Sequence, residues 1–375
     1  MEGVTDFATR IWFQWMGGMD FVWTPFLRVT DTFPLRYGPD FAPELDQLRG
    51  VFKAPLILQV MGSRPDDIVR THDLYGDRVA FIDLNCGCPS PTVVGSRAGS
   101  SLLERQDYFG DFISSVSRRV GPERLSVKMR TGFHDASEFS GLLAAISSLP
   151  LRHLTVHGRT RPQKYKGKAD WDLVQRAARQ VAFPVFGSGD LSDFNGIQTR
   201  FAETRELGGA IVGRGALRNP WIFTGATHAP VLPALAVFIL AQDFQLERFS
   251  GLIDLAGHLS GEVPAGDDAG RWIAIAEKLA SARGLQSGFM REWSVSPRAL
   301  ARGKMLWNYL RSSLPEPFMD PMLMRVKDLG GLLDGIQHIA RAHHFDVASL
   351  PVRHQSHYDW MFSGEGKTPP ANQKE

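Results

Sequence analysis

The sequence predicts an α/β fold: a (β/α)8 TIM barrel with its first strand missing, followed by a smaller all-helical domain. Three observations carry this. Short apolar runs, each closed by glycine or polar residues, recur through the first 215 residues or so. Amphipathic stretches separate them, with apolar residues at helical spacing, and strands alternating with helices in this way build a buried parallel sheet. Past about residue 225 the runs stop and only helical patterns continue.

In chain order, "MEGVTD" reads as the loop leaving a strand whose residues are absent. Barrel closure takes eight strands, so the first is expected to be cut off or supplied otherwise. Seven follow: "DFVWTPFL", "APLILQVMG", "VAFIDLNCG", "LSVKMRTG", "HLTVHGRT", "FPVFGSGD" and "GAIVGRGA". Between them "SLLERQDYFGDFISSVSRRV", "ASEFSGLLAAISSL", "DWDLVQRAARQ" and "DFNGIQTRFAETREL" have one apolar and one charged face, as helices covering a sheet do. The barrel is expected over residues 1–228. Pro230, Pro233 and the loop "GHLSGEVPAGDDAG" then punctuate the helical patterns "RWIAIAEKLASARG", "PRALARGKMLWNYLRSSL" and "LGGLLDGIQHIARAHHF", which place the helical domain over 229–350. Residues 351–375 are polar and rich in proline and glycine towards their end, and read as a disordered tail.

Composition narrows the function classes. Lys plus Arg number 42 against 40 Asp plus Glu, so no global basic charge marks a nucleic-acid binder, and any such surface must be local. The N-terminus lacks a basic segment followed by an apolar core, and "VLPALAVFILA" is too short to span a bilayer, so a cytoplasmic protein is expected. The two cysteines, Cys86 and Cys88, are two residues apart; on a strand such neighbours point to opposite faces and cannot pair, which suits a reducing compartment.

In a parallel barrel the chemistry sits where strands end, at their carboxyl termini. The residues there are Gln59, Asn85, Lys128 with Arg130, His157 with Arg159, the turn Gly187-Ser188-Gly189 and Gly213-Arg214-Gly215. Singly, Lys128 reads equally as a snorkelling lysine, His157 as a satisfied structural histidine, and each glycine turn as ordinary strand-to-helix geometry. Amide, ammonium, imidazole and guanidinium groups repeated on five strand ends converge on one rim, and such a ring suits an anionic, heteroaromatic cofactor. Glycine-rich turns after the last two strands suit its phosphate, with Arg214 adding charge. Cys88 precedes Pro89 and a glycine-containing loop and is open to three roles: nucleophile, proton donor or small apolar filler. Metal binding fits poorly, since there is no second cysteine pair and His343, His344, His354 and His357 follow no ligand spacing.

The segments "MEGVTD", "LNCGCPS", "VKMRTG", "VHGRT" and "GAIVGRGALRNPWIF", in this order over roughly the first 225 residues, with weaker similarity in "ARGKMLWNYLRSSL", resemble the tRNA-dihydrouridine synthases, most closely the bacterial branch with an Asn-Cys-Gly-Cys-Pro motif. The resemblance implies FMN on the barrel mouth: Gln59, Lys128 and His157 around the isoalloxazine and ribityl groups, Ser188, Gly189, Asp190, Gly213 and Arg214 near the phosphate, and Met1 and Glu2 on the flavin-binding backbone. It implies NADPH as reductant, hydride transfer from the flavin to C6 of a D-loop uridine of tRNA, and Cys88 as donor of a proton to C5. A thiol with the ordinary pKa of about 8.5 suits a proton donor at neutral pH. Cys86 is left to packing. Asn85 is expected at the uracil or the flavin edge; Arg130 and Arg159 are expected either at the substrate or in rim salt bridges.

A uridine in folded tRNA must leave its stack to meet the flavin, so an electropositive approach surface is expected. Arg271, Lys278, Arg283, Arg291, Arg298, Arg302, Lys304 and Arg311, interleaved with Trp293, Trp307 and Tyr309, supply a candidate, with Arg291, Arg298, Arg302 and Lys304 as the proposed tRNA contacts. A solvated helix face is the plain alternative. Two departures from the family pattern stand out: the Ala-Pro-Met segment before "EGVTD" is missing, and Ser188 stands where an asparagine is usual, which implies weaker FMN binding. The expected protein is a monomer. The competing readings are a catalytically impaired tRNA-binding scaffold or folding factor, and a flavin barrel reductase of a small molecule.

Overall fold

The computed structural model describes residues 4–30, 42–247, 249–260, 265–285 and 293–352. Helix α1 (Phe7–Met16) starts where the Asp6 carboxylate accepts the Thr9 amide at 2.9 Å. The run "DFVWTPFL" forms two short strands, β1 (Val22–Trp23) and β2 (Leu27–Arg28), because Pro25 lacks the N–H a ladder needs. Next come β3 (Leu56–Met61), α2 (Pro65–Tyr75), β4 (Ile82–Cys86), α3 (Pro91–Gly95), α4 (Gln106–Val120), β5 (Leu125–Arg130), α5 (Phe139–Ile146), β6 (Leu154–His157), α6 (Trp171–Gln180), β7 (Val185–Ser188), α7 (Phe194–Glu203), β8 (Leu207–Ile211) and α8 (Arg214–Arg218).

The sheet runs β1-β3-β4-β5-β6-β7-β8, with β2 also on β3, and every pair in it is parallel. Among the described residues no pairing joins β8 back to β1. Side chains alternate along each strand. One set, Leu84, Cys86, Val127, Met129, Val156 and Val185 among them, is buried in one cluster with apolar residues of α2, α4, α5 and α6. Gly187 belongs to this helix-facing set: a Cβ there would lie 2.3 Å from the Trp171 ring. The other set, on the inner face, is mostly polar: Gln59, Asp83, Asn85, Ser126, Lys128, His153, Thr155, His157 and Ser188, with Ile57, Met61 and Phe186 in the same alternation.

Beyond a short ribbon of β9 (His228–Ala229) and β10 (Leu350–Pro351), the rest is helical: α9 (Val231–Glu247), α10 (Phe249–Ser260), α11 (Ala269–Ala282), α12 (Pro297–Leu310) and α13 (Leu329–Ala342). Helix α9 is apolar on every side and buried from Val231 to Ala241, so it forms the axis on which α1, α10, α11, α12 and α13 pack. Helix α1 belongs to this core: Trp12 is fully buried and its indole N–H donates to the Ala234 carbonyl at 2.8 Å. The N-terminal helix and the turn at Trp221 and Ile222 thus share one hydrophobic cluster with residues 229–350. None of the helices among the described residues is long and apolar enough to cross a membrane. Residues 353–375 lie outside the described residues.

One charged pair sits inside this packing. Arg10 donates to Glu44 from Nε at 2.6 Å and from Nη2 at 2.9 Å, with side chains only 2% and 5% exposed. Replacing Arg10 by Ala strands a buried carboxylate and is expected to cost about 3–5 kcal/mol, most of it recovered in Arg10→Met/Glu44→Leu. Denaturant unfolding measures both, and equal loss in the single and double variants would refute this account of the pair.

Candidate active site

The strand register sets the predicted rim residues in rows. Asn85 on β4 pairs with Lys128 on β5, and Lys128 with Thr155 on β6; one step further Arg130, His157, Ser188 and Ile211 pair in turn across β5 to β8. Gln59 pairs with Asp83 at the same end of the sheet. Residues as far apart in sequence as Gln59 and Ile211 are thereby brought to one end of the barrel, because parallel strands all finish there.

Cys86 and Cys88 part ways. Cys86 is fully buried on the helix-facing side, where burial and then the nearby Asp83 push its thiol pKa far up. Cys88 is half-buried in the loop after β4, and the loop is gripped from several sides. Asn85 Oδ1 accepts the Gly87 amide at 3.0 Å and the Cys88 amide at 3.1 Å. The Cys88 carbonyl accepts the Ser100 hydroxyl at 2.7 Å, and Arg130 Nε donates to the Gly87 carbonyl at 2.8 Å. Gly99, with φ +60°, allows the close return: a Cβ there would lie 2.7 Å from Val93 Cγ1 and 3.1 Å from Cys88 Cβ. Asn85 Nδ2 donates to Gln59 Oε1 at 3.0 Å, which leaves Asn85 one N–H and no spare acceptor for a ligand.

The two arginines whose role was open work inside the rim. Arg130 also donates from Nη1 to the carbonyls of Thr160 at 2.9 Å and Lys164 at 2.8 Å, so it ties the loops after β4 and β6 together. Arg159 pairs with both Asp190 oxygens, at 2.6 and 2.8 Å, and donates to the Lys166 and Gly167 carbonyls. The Asp190 carboxylate also accepts the Ala169 amide at 2.6 Å, so it is fully engaged within the protein. Among the buried polar atoms without a protein partner, His157 Nδ1, Arg159 Nη1 and Thr155 Oγ1 lie together towards this end, with His153 Nε2 deeper on the same face. Buried groups of this kind ordinarily have one, which marks the inner rim as a place for a ligand with hydrogen-bonding atoms.

The α12 cluster is dispersed. Arg302 turns inward to Asp6 Oδ2 and the Val4 carbonyl, both at 2.8 Å, and Lys304 Nζ donates to the Val326 carbonyl. Arg283 pairs with the buried Asp243, and Arg311 donates to the Met319 carbonyl and Asn308. These bases are used to join helices, since partly buried cations need oxygen partners. Trp293 and Trp307 are buried in the core, while Lys278 and Arg298 are exposed. Met1, Glu2 and Arg291 lie outside the described residues; Gly213 is exposed at the start of α8.

Two groups at this end escaped the sequence reading. Asp83, fully buried, accepts Gln59 Nε2 and Ser126 Oγ, both at 2.7 Å. Its sequence signal is a lone carboxylate two residues before Asn85 in an apolar run. Tyr165, half exposed, lies between the guanidinium groups of Arg214 and Arg130, whose carbons stand 4.5 and 5.5 Å from its ring centre. No periodic pattern surrounds it in "RPQKYKGKADW".

A family model described as dihydrouridine synthase (Dus) matches residues 1–236. A probable tRNA-dihydrouridine synthase of Aquifex aeolicus is 32% identical over 173 residues, covering 45% of this chain and 54% of its own. The tRNA-dihydrouridine(47) synthase of Coprinopsis cinerea, whose name includes NAD(P)(+), is 35% identical over 185 residues, 44% of this chain and 27% of its own. The tRNA-dihydrouridine(16) synthase of Pseudomonas putida is 34% identical over 228 residues, 59% of this chain and 69% of its own. The chain therefore spans about half the length of the first and about a quarter of the second.

Charge at the rim is lopsided. His157 is pushed far below the usual histidine range by burial and then by Lys128, Arg130, Arg159 and Arg214, so its imidazole is neutral at physiological pH. Burial lowers Lys128 from 10.5 to about 8, opposed by attraction to Asp83, with Arg130 adding to the fall. Between these two values the unfolded chain holds a proton that the folded chain has lost, so this group makes stability rise with pH across that window. Lys128→Met is expected to flatten the rise and to raise stability at pH 7. Urea unfolding of ligand-free protein from pH 7 to 10 measures it, and parallel curves for the two proteins would refute the assignment.

Proposed function

This chain belongs to the dihydrouridine synthase family, and from that premise we propose that it is a tRNA-dihydrouridine synthase of the bacterial branch with an Asn-Cys-Gly-Cys-Pro motif. It reduces the C5=C6 bond of a D-loop uridine with FMN and NADPH. The observation that carries the reading is Cys88, its backbone fixed by Asn85 and its loop by Arg130, at the sheet end where Gln59, Lys128 and His157 also lie.

The residues fit FMN. The unpartnered His157 Nδ1 and Arg159 Nη1 offer nitrogen atoms to a ligand, and Lys128 with Arg214 supplies positive charge for an anion. Gln59, Lys128 and His157 would hold the isoalloxazine and ribityl groups; Ser188, Gly189, Gly213 and Arg214 would face the phosphate, with Asp190 contributing only its main chain because Arg159 occupies its carboxylate. FMN held there would supply the hydride chemistry that links NADPH to uracil C6. Cys88 Sγ gives its proton to C5 on the same uracil and regains one from solvent, so one hydride and one proton saturate the bond. Asn85 meets a carbonyl oxygen of the uracil or the flavin edge with its remaining N–H. Arg130 and Arg159 act as clamps on the rim loops.

The barrel over 1–228 is the catalytic domain, and residues 229–350 supply the tRNA-facing surface, where Arg298 is exposed and Arg302 and Lys304 support α12 from within. The protein acts as a cytoplasmic monomer. Anaerobic mixing of the reduced protein with unmodified tRNA is expected to reoxidise the flavin and form dihydrouridine. Cys88→Ala is expected to lower product formation by about 10²–10⁴-fold while leaving reduction by NADPH intact. Wild-type product formation in Cys88→Ala would remove the thiol from the mechanism, and no reoxidation by any tRNA would refute the reading itself.

A further inference from the structure

We propose that Asp83 is a positioning residue for Cys88, acting through the side-chain amides of Gln59 and Asn85; the inference builds on the reading of Cys88 as proton donor. Four hydrogen bonds form one chain. Gln59 Nε2 donates to Asp83 Oδ2 at 2.7 Å, Asn85 Nδ2 donates to Gln59 Oε1 at 3.0 Å, and the amides of Gly87 and Cys88 donate to Asn85 Oδ1 at 3.0 and 3.1 Å.

The two ends fix the direction of everything between. A carboxylate only accepts and a backbone N–H only donates. Gln59 must therefore turn its nitrogen to Asp83 and its oxygen to Asn85, and Asn85 must turn its nitrogen to Gln59 and its oxygen to the Cys88 loop. A side-chain amide alone has two orientations of nearly equal shape, so without the acceptor at Asp83 only the single bond from Asn85 Nδ2 holds Gln59 in the one that serves Asn85. Asp83 is well placed for this: it is fully buried, and its other oxygen is held by the Ser126 hydroxyl at 2.7 Å. Linked buried hydrogen bonds of this kind strengthen one another.

The test is hydrogen–deuterium exchange of the ligand-free protein, read by mass spectrometry on peptides covering residues 85–90. In Asp83→Leu the Gly87 and Cys88 amides are expected to exchange about tenfold faster, the loss of roughly one hydrogen bond's net contribution. Exchange in β6 stays unchanged. Asp83→Asn keeps an acceptor for Gln59 and is expected to retain wild-type protection. A purely structural role for Asp83, filling space beside Ser126, would leave residues 87 and 88 unaffected in Asp83→Leu, and that result overturns the proposal. If Asp83→Leu does not fold, Gln59→Leu breaks the same chain one link nearer Cys88: faster exchange there supports it and wild-type rates overturn it. Combining Asp83→Leu with Asn85→Ala should add nothing to Asn85→Ala alone; additive acceleration also overturns it. No tRNA or turnover enters the measurement, so a failed reductase assay beside accelerated exchange would count against the proton-donor reading and leave the relay intact.

Discussion

A polar side chain taken out of water must be given a partner, and the inner face of this curled sheet carries many polar side chains among a few apolar ones such as Ile57 and Phe186. The period-2 geometry of strands forces the choice: the helix-facing residues are apolar, so the alternate ones look inward. Below the rim Asp83 holds Gln59 and Ser126, while His153 stacks on Phe186 at 4.2 Å and keeps its Nε2 unbonded. Towards the carboxyl rim more such atoms gather, on His157, Arg159 and Thr155. The rim is thus incomplete in the sense that a receptor is incomplete, and the depressed basicity of Lys128 and His157 follows from crowding cations there out of reach of bulk water.

Much of this was legible from sequence because strand ends are a one-dimensional signal. The apolar runs mark where each strand stops, and parallel topology places all stops together, so Gln59, Asn85, Lys128, His157 and Ser188 could be grouped before any geometry was known. Asp83 was not legible, because a carboxylate inside an apolar run looks like noise until the neighbouring strand supplies Gln59 and Ser126. Proline punctuation was also underread: "DFVWTPFL" carries its own interruption at Pro25, and the structure follows it with two strands.

Charge was the least readable property. The basic residues of 271–311 resemble an outward-facing cluster when counted along the chain. In three dimensions Arg302 reaches Asp6, 296 residues away in sequence, and Lys304 reaches a carbonyl at Val326. A count of cations cannot distinguish a surface patch from a set of internal struts, since the distinction lies in partners that are remote in sequence. The same remoteness explains why α1, which precedes the whole sheet, packs in the hydrophobic cluster of the C-terminal helices.

That packing bears on how the protein is made. The indole of Trp12 finds its hydrogen-bond partner, Ala234, 222 residues downstream. At about 5–20 residues per second, translation separates the two by roughly ten to forty seconds. Throughout that interval a helix carrying Phe7, Ile11, Trp12, Trp15 and Met16 has left the ribosome while the surface that buries it does not yet exist. The nascent chain therefore leaves this apolar helix uncovered until α9 has been made.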